Sequence, residues 1–220
     1  GRPKTEIDPW VLGALLGDGC MTGCTPRFSS ADFDLVEMMR ARLGAEFCLS
    51  PSGKFDYKIC GTKRRSPNLL SERLQTIGLL GKGSSDKFIP HHYFSADRET
   101  RLDLLRGLLD TDGWVETGLV ATVRFCSVSN LLAQGVVDIV RSLGGSASIS
   151  TKQPFCTSAG KRKKGLPAFV VNILGLDGER LFNLERKQSR MRVRVRKKRL
   201  NLRSVEYSRT CEAQCIRVSH

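Results

Sequence analysis

Two ten-residue segments of this chain end in the same dipeptide. The first is WVLGALLGDG, residues 10–19; the second is LLRGLLDTDG, residues 104–113. Each is an apolar run with an internal glycine, Gly13 or Gly107, and each closes on Asp-Gly, so that Asp18 and Asp112 stand at matched places. Glycine inside a helix is about 1 kcal/mol less favourable than alanine. Its recurrence implies two helices packed backbone to backbone. If they cross at an axis, Asp18 and Asp112 come side by side. Adjacent carboxylates repel unless a cation sits between them. Carboxylates, backbone carbonyls and water suit Mg²⁺, and a metal clamped between two acids is a phosphoryl-transfer device. One Asp-Gly alone would only end a helix; it is the matched pair that points to chemistry. Asp110 has no acidic counterpart, since Leu16 occupies its place, and reads as a structural or supporting group.

The elements that must hold these residues can be read from caps and periodicity. Asp8-Pro9 reads as N-cap and first residue of a helix, stopped by Gly17-Asp18-Gly19. Arg27–Ser30 looks extended. Ala31–Leu43 has helical spacing and ends at Gly44. Glu46–Leu49 and Phe55–Cys60 read as strands around the turn Pro51-Ser52-Gly53. Leu69–Ile77 is helical, closed by Gly78, and residues 81–85 form a loop. The pattern then restarts. Ser95–Asp97 caps a helix running through Leu109, Val120–Ser127 is strand-like, and Ser129–Leu143 is helical up to Gly144. Ser146–Ser150 and Ala168–Leu174 read as strands flanking a basic loop, Ser158–Gly165, and Leu176–Leu184 is helical again.

This is an internal repeat. Gly19 and Gly113 differ by 94, RFSSAD (27–32) and RFCSVS (124–129) by 97, the two Leu-Gly pairs at 43–44 and 143–144 by 100, and KICG (58–61) and NILG (172–175) by 114. Each repeat reads roughly helix–strand–helix–strand–strand–helix, and two such units make a pseudo-twofold molecule.

Charge narrows the partner. The 220 residues carry 36 Lys+Arg against 22 Asp+Glu, a net +14. Residues 152–199 hold 15 basic and 3 acidic side chains, so 15 − 3 = +12 lies in that stretch. Clustered positive charge suits a polyanion, nucleic acid first. A hydrophobic content of 40% excludes a fully disordered chain. No run of 18 apolar residues spans a membrane, and no apolar segment at the start marks secretion, so a cytoplasmic location is expected. The eight cysteines include no CxxC, and the three histidines make no HxxxH. The CxxxC pairs Cys20/Cys24 and Cys211/Cys215 read as reduced packing thiols, with a zinc module as the competing reading.

The two motif segments resemble the paired motifs of the LAGLIDADG homing endonucleases. SSDKFIPHHYF (84–94) resembles the block before the second motif in intein-encoded members, and SVEYSRTCEAQCIRVSH (204–220) resembles the start of an intein's C-terminal splicing block. The resemblance implies an α+β fold: two pseudo-symmetric αββαββα halves in one chain, residues 1–92 and 93–189, forming a saddle of antiparallel sheets, with residues 190–220 a basic linker and splicing remnant. It implies a monomeric site-specific endonuclease that cuts both strands of double-stranded DNA at a long asymmetric target and leaves 3′ overhangs. The implied cofactor is Mg²⁺, with Mn²⁺ able to substitute and Ca²⁺ supporting binding without efficient cleavage. Asp18 and Asp112 match the metal-binding acids. Lys87 matches a basic residue near the scissile phosphate, and Lys187, at an offset of 100, is its candidate partner. Either lysine could instead contact phosphate or be merely solvated. In a full-length parent the partners would be an intein splicing domain and a host protein. No N-terminal splicing block precedes residue 1 and no terminal asparagine follows His220, so splicing is not expected from these residues.

Alternate side chains of a strand face one way, so each hairpin is expected to turn one face to the helices and the other to DNA, where a two-stranded ribbon fits the major groove. The candidates are Arg27, Lys54, Tyr57, Lys58 and Lys63 in the first half, and Arg124, Lys152, Lys161, Arg162, Lys163 and Lys164 in the second. Lys161–Lys164, read as loop residues, suit phosphates better than bases. Arg190–Arg199 is either a flanking DNA contact or a solvated linker. The competing function is a catalytically inactive nucleic-acid-binding protein on the same scaffold, an RNA-splicing maturase or a regulator. Such proteins often lose a motif acid, whereas this chain keeps both.

Overall fold

The structure is a computed structural model that describes residues 6–63, 67–117, 121–158, 161–176, 181–191 and 204–212, without the side chains of Cys156, Ser158, Lys161 and Arg162. It is an α+β protein built from two halves of the same topology. The first runs α1 (Pro9–Asp18), β1 (Gly19–Cys20), β2 (Arg27–Ser29), α2 (Phe33–Leu43), β3 (Phe47–Pro51), β4 (Asp56–Gly61) and α3 (Leu69–Thr76). The second runs α4 (Arg98–Asp112), β5 (Gly113–Glu116), β6 (Thr122–Ser127), α5 (Asn130–Ser142), β7 (Ser146–Lys152), β8 (Phe155–Ser158), β9 (Lys161–Lys164), β10 (Ala168–Leu174) and α6 (Glu185–Gln188). The sheets are ordered β1-β2-β4-β3 and β5-β6-β10-β7, all neighbours antiparallel, which is the same arrangement twice. A third, two-stranded sheet, β8-β9, is found among the described residues in the second half and not in the first.

Local chemistry accounts for most boundaries. The carboxylate of Asp8 accepts from the Val11 amide at 3.0 Å with Pro9 in the first turn, and Asp97 accepts from Thr100 at 2.8 Å. Asp32, Asn68 and Ser129 cap α2, α3 and α5 in the same way. These caps satisfy amides that a helix start leaves without partners. Gly44 and Gly144 follow α2 and α5 with φ of 77° and 91°, a region L side chains rarely adopt. Residues of α1 from Trp10 to Leu16 are all buried. That helix is therefore apolar all round, as a central helix must be. The core is continuous through both halves, with α5 packed against β6, β7 and β10.

Four expectations are corrected. Helix α4 runs past Leu109 to Asp112, which places the aspartate inside the last turn and not after it. Each motif glycine also starts a strand, β1 or β5, too short to show alternation. Ser158–Gly165 is not a loop, because Lys161–Lys164 pair with Phe155–Ser158 as a hairpin. Leu176–Leu184 is not a helix in its described residues. Leu181, Phe182 and Leu184 are buried in irregular chain, and among the described residues beyond them the helical chain is the single turn of α6 and a 3-10 turn at Ser189–Met191. Residues 177–180 lie outside the described residues, as do 192–203, which include most of the basic run Arg190–Arg199, and 213–220 of the splicing-like tail. No helix among the described residues is long and apolar enough to cross a membrane.

Candidate active site and nucleic-acid interface

Helices α1 and α4 cross at their glycines. A Cβ placed on Gly13 would lie 2.3 Å from the Leu104 carbonyl oxygen and 3.0 Å from Gly107 Cα; one on Gly107 would lie 2.2 Å from the Trp10 oxygen. Only glycine permits this approach. Further along, a Cβ on Gly17 would stand 2.1 Å from Thr111 Oγ1 and 3.3 Å from a carboxylate oxygen of Asp112. The two helix ends therefore converge, and with them Asp18 and Asp112. Both helices terminate alike. Gly19 and Gly113 are extended, and their amides bond back to Leu15 O and Leu109 O. A Cβ at either would fall 2.3 Å or 2.5 Å from those same oxygens.

Both carboxylates are shifted upward. Burial raises Asp18, against the pull of Lys87 and Lys187. Burial and then the charge of Asp18 push Asp112 up to about 6, again against the two lysines. A cleft of about 320 Å³ opens beside Asp112, lined also by Leu16, Gly17, Ser84, Lys87, Cys126 and Ser127.

Each lysine is inserted into the end of a motif helix. Lys87 Nζ donates to the carbonyls of Leu15, Gly17 and Gly19 at 3.1, 2.9 and 2.8 Å. Lys187 Nζ donates to those of Leu109, Asp110, Thr111 and Gly113 at 2.8, 2.7, 3.4 and 2.6 Å. Leu15/Leu109, Gly17/Thr111 and Gly19/Gly113 are each 94 apart, so the lysines occupy equivalent places. Both are buried, at 4% and 7% exposure, so neither is a solvated surface cation. Burial lowers Lys87, with Asp112 and Asp18 pulling it back up. Burial also brings Lys187 down to about 8, opposed first by Asp110. A cation against the last carbonyls of a helix also satisfies groups the helix cannot.

Asp110 is fully buried. Its carboxylate accepts from Trp10 Nε1, the Asn183 amide and Asn183 Nδ2, each at 2.9 Å, and ties α1 and α4 to the segment that delivers Lys187. Neither Trp10 nor Asn183 is flagged by the sequence. They are 100 and 73 residues from Asp110, and nothing local links them.

The sheets begin at the residue after each aspartate and run outward, β3 and β7 forming the far edges. On the first sheet, Arg27 opposes Lys58, and Lys58 opposes Ser50. This face is exposed, while Phe28, Leu49 and Ile59 of the other face are buried. Tyr57 opposes Phe28 and packs on the core, so it belongs to the inner face and not to the exposed basic one. A single step along the strand reverses the face. Lys54 lies in the hairpin turn with its ammonium 5.0 Å from the Phe55 ring, and Lys63 is exposed just beyond β4. On the second sheet, Arg124 shares a face with Trp114 and Asn172 and pairs with Glu116 at 2.5 Å. Lys152 is exposed at the end of β7, Lys163 and Lys164 are exposed on β9, and Lys161 and Arg162 are placed only by register.

Cys20, Cys24, Cys48, Cys60, Cys126 and Cys211 are free thiols. Among the described residues no group of three or more His, Cys, Asp or Glu side chains could hold a metal; Cys215 of the second CxxxC pair lies outside them.

Residues 88–200 match the homing endonuclease family, and the chain belongs to it. It is 31% identical over 181 residues to the replicative DNA helicase DnaB of Mycobacterium intracellulare, covering 82% of this chain and 26% of that protein. It is 26% identical over 188 residues to RecA of Mycobacterium tuberculosis (strain ATCC 25618 / H37Rv), covering 78% and 23%. The chain thus spans about a quarter of the length of these relatives. A solved structure of mesophilic variants of the homing endonuclease I-DmoI is similar at a TM-score of 0.47 and 13% identity, covering 77% of this chain and 88% of that one.

Proposed function

We propose that the chain is a site-specific endonuclease of the LAGLIDADG type that hydrolyses both strands of double-stranded DNA and leaves 3′ overhangs. The observation that carries this is the meeting of Asp18 and Asp112 at the ends of two crossed helices, each end held by a buried lysine and each leading into a four-stranded sheet, the first with Arg27 and Lys58 on its exposed face. The residues fit a divalent cation. Two converging carboxylates, one pushed up to about 6 by burial and by the other, offer oxygen donors that suit Mg²⁺ or Mn²⁺. A cation there supplies positive charge against the charge that gathers on the phosphodiester. Asp18 and Asp112 would hold it, and Ca²⁺ is expected to support binding without efficient cleavage. Lys87 and Lys187 keep the helix ends and their carboxylates in place, and their positive fields favour the ionised acids.

Arg27, Lys58 and Lys152, all exposed, and the half-buried Arg124 are assigned to DNA contacts, with Lys54 and Lys63 at the margin of the first sheet. Because the halves differ in hairpin length and charge, the protein is expected to act as a monomer on an asymmetric site, with halves bounded at 1–92 and 93–189. An intein origin is supported by the spread of relatives. DnaB, RecA and a V-type proton ATPase subunit carry different printed functions, yet each shares only a minor part of its length with this chain, as a mobile insert would.

The test is incubation with a randomised DNA duplex library, with and without Mg²⁺, followed by sequencing of cut ends. Recovery of one long asymmetric site, cut only with the metal by the parent and not by Asp18→Asn or Asp112→Asn, supports the reading. Cleavage by Asp18→Asn at the parent rate removes that residue from the site.

A further inference from the structure

The ribbon β8–β9 has no counterpart in the first half, where β3 and β4 are joined by the short turn at residues 52–55. Its base is pinned: the Gly165 amide donates to the Pro154 carbonyl at 2.9 Å, and Gln153 Nε2 donates to the Gly165 carbonyl at 2.8 Å. Above that base its burial departs from that of the other sheets. Each four-stranded sheet buries one face. On the ribbon the described side chains Phe155, Thr157, Lys163 and Lys164 are all exposed, Phe155 at 52%. Lys163 and Lys164 are successive residues and so stand on opposite faces. By register, Lys164 opposes Phe155 and Lys163 opposes Cys156. No described side chain on either face is buried, and each face carries a cation. The sequence has four basic residues from 161 to 164 and no acidic residue between Asp138 and Asp177.

We propose that this ribbon is an arm that grips duplex DNA beyond the ground covered by the four-stranded sheets, on the second half's side only. A strand pair basic on both faces fits a groove whose two walls are phosphate, and a two-stranded ribbon has the dimensions of the major groove. Each strand has four residues. At roughly 3.3 Å per residue the arm reaches about 13 Å, or about four base pairs at roughly 3.4 Å each. The DNA footprint is then lopsided by that amount. This rests on the endonuclease reading for its specific duplex, but the electrostatic part does not.

Two variants test it: replacement of Phe155–Lys164 by Asn-Gly, which keeps the Pro154–Gly165 base, and Lys163→Glu/Lys164→Glu, which keeps the ribbon. Thermal melting checks that both fold. On a duplex recovered from the cleavage selection, footprinted in Ca²⁺, the shortened protein should lose protection of about four base pairs on one side. Trimming that side by four base pairs should weaken parent binding and leave the variant's affinity unchanged. On a random-sequence duplex, the slope of log K against log salt should fall in magnitude by about 2–4 for either variant. An unchanged footprint or unchanged slope overturns the arm. A parent that binds random duplex but cuts none sinks the endonuclease reading, while the slope still decides the arm.

Discussion

Replacing Lys187 by methionine keeps most of the side chain's length and removes only the ammonium. That group holds four carbonyls at 2.6–3.4 Å, of which Leu109 O also accepts from the Gly113 amide. A hydrogen bond to a charged group contributes about 1.5–3 kcal/mol. The burial of the ammonium itself, which lowers it to about 8, offsets part of the sum. Breaking a buried charged contact on one side typically costs about 3–5 kcal/mol, and Lys187→Met should fall in that range. For a chain of 220 residues this lowers Tm by roughly 6–20 °C. Lys87→Met should cost less, about 1–3 kcal/mol, because Lys87 lines the 320 Å³ cleft and water entering there can take over its three carbonyls. Thermal melting by circular dichroism at pH 7 in EDTA gives the ordering, and DNA binding in Ca²⁺ well below Tm should survive in both variants. A Lys187→Met protein melting within about 2 °C of the parent, or less destabilised than Lys87→Met, would refute the view of these lysines as clasps on the motif helices.

Raising Asp112 to about 6 means that the native state binds its proton more tightly than the unfolded chain. Stability in EDTA should therefore fall as pH rises from about 4 to 6, by about 3 kcal/mol at most for this group. Asp112→Asn should melt above the parent at pH 7 and lose that advantage below pH 4; a variant less stable than the parent at pH 7 contradicts this. Gly107→Ala forces a methyl into the Trp10 carbonyl and should cost at least ~3 kcal/mol through separation of the helices, read by urea unfolding; a loss under ~1 kcal/mol would show that the crossing adjusts. Lys58→Ala should reduce the salt slope of DNA binding by about 1, whereas Tyr57→Phe, on the core side of β4, should leave it unchanged. Equal slopes for Lys58→Ala and the parent would remove that face from the interface.

The parts legible in the sequence are those written in local chemistry or in duplication. Asp8, Asp97 and Ser129 announce helix starts because a side-chain oxygen there reaches an amide three residues on. Gly13 and Gly107 announce a helix crossing because an apolar helix tolerates glycine only for close approach, and repetition 94 residues apart ties the two aspartates together. The parts that stayed hidden depend on partners distant in the chain or on the absence of a core face. β1 and β5 have two and four residues, too few for alternation to show. β9 reads KRKK, which has no period at all, because a strand with neither described face buried is under no pressure to alternate. Leu181, Phe182 and Leu184 mimic a helical stripe because the core selects for apolar side chains wherever chain passes through it, regular or not. The lysines show the same division most plainly. An offset of 100 finds Lys187, but its role depends on where the ammonium ends up. Buried among four carbonyls, it braces the end of α4 from behind, and the proposed role toward phosphate is left to the two aspartate carboxylates.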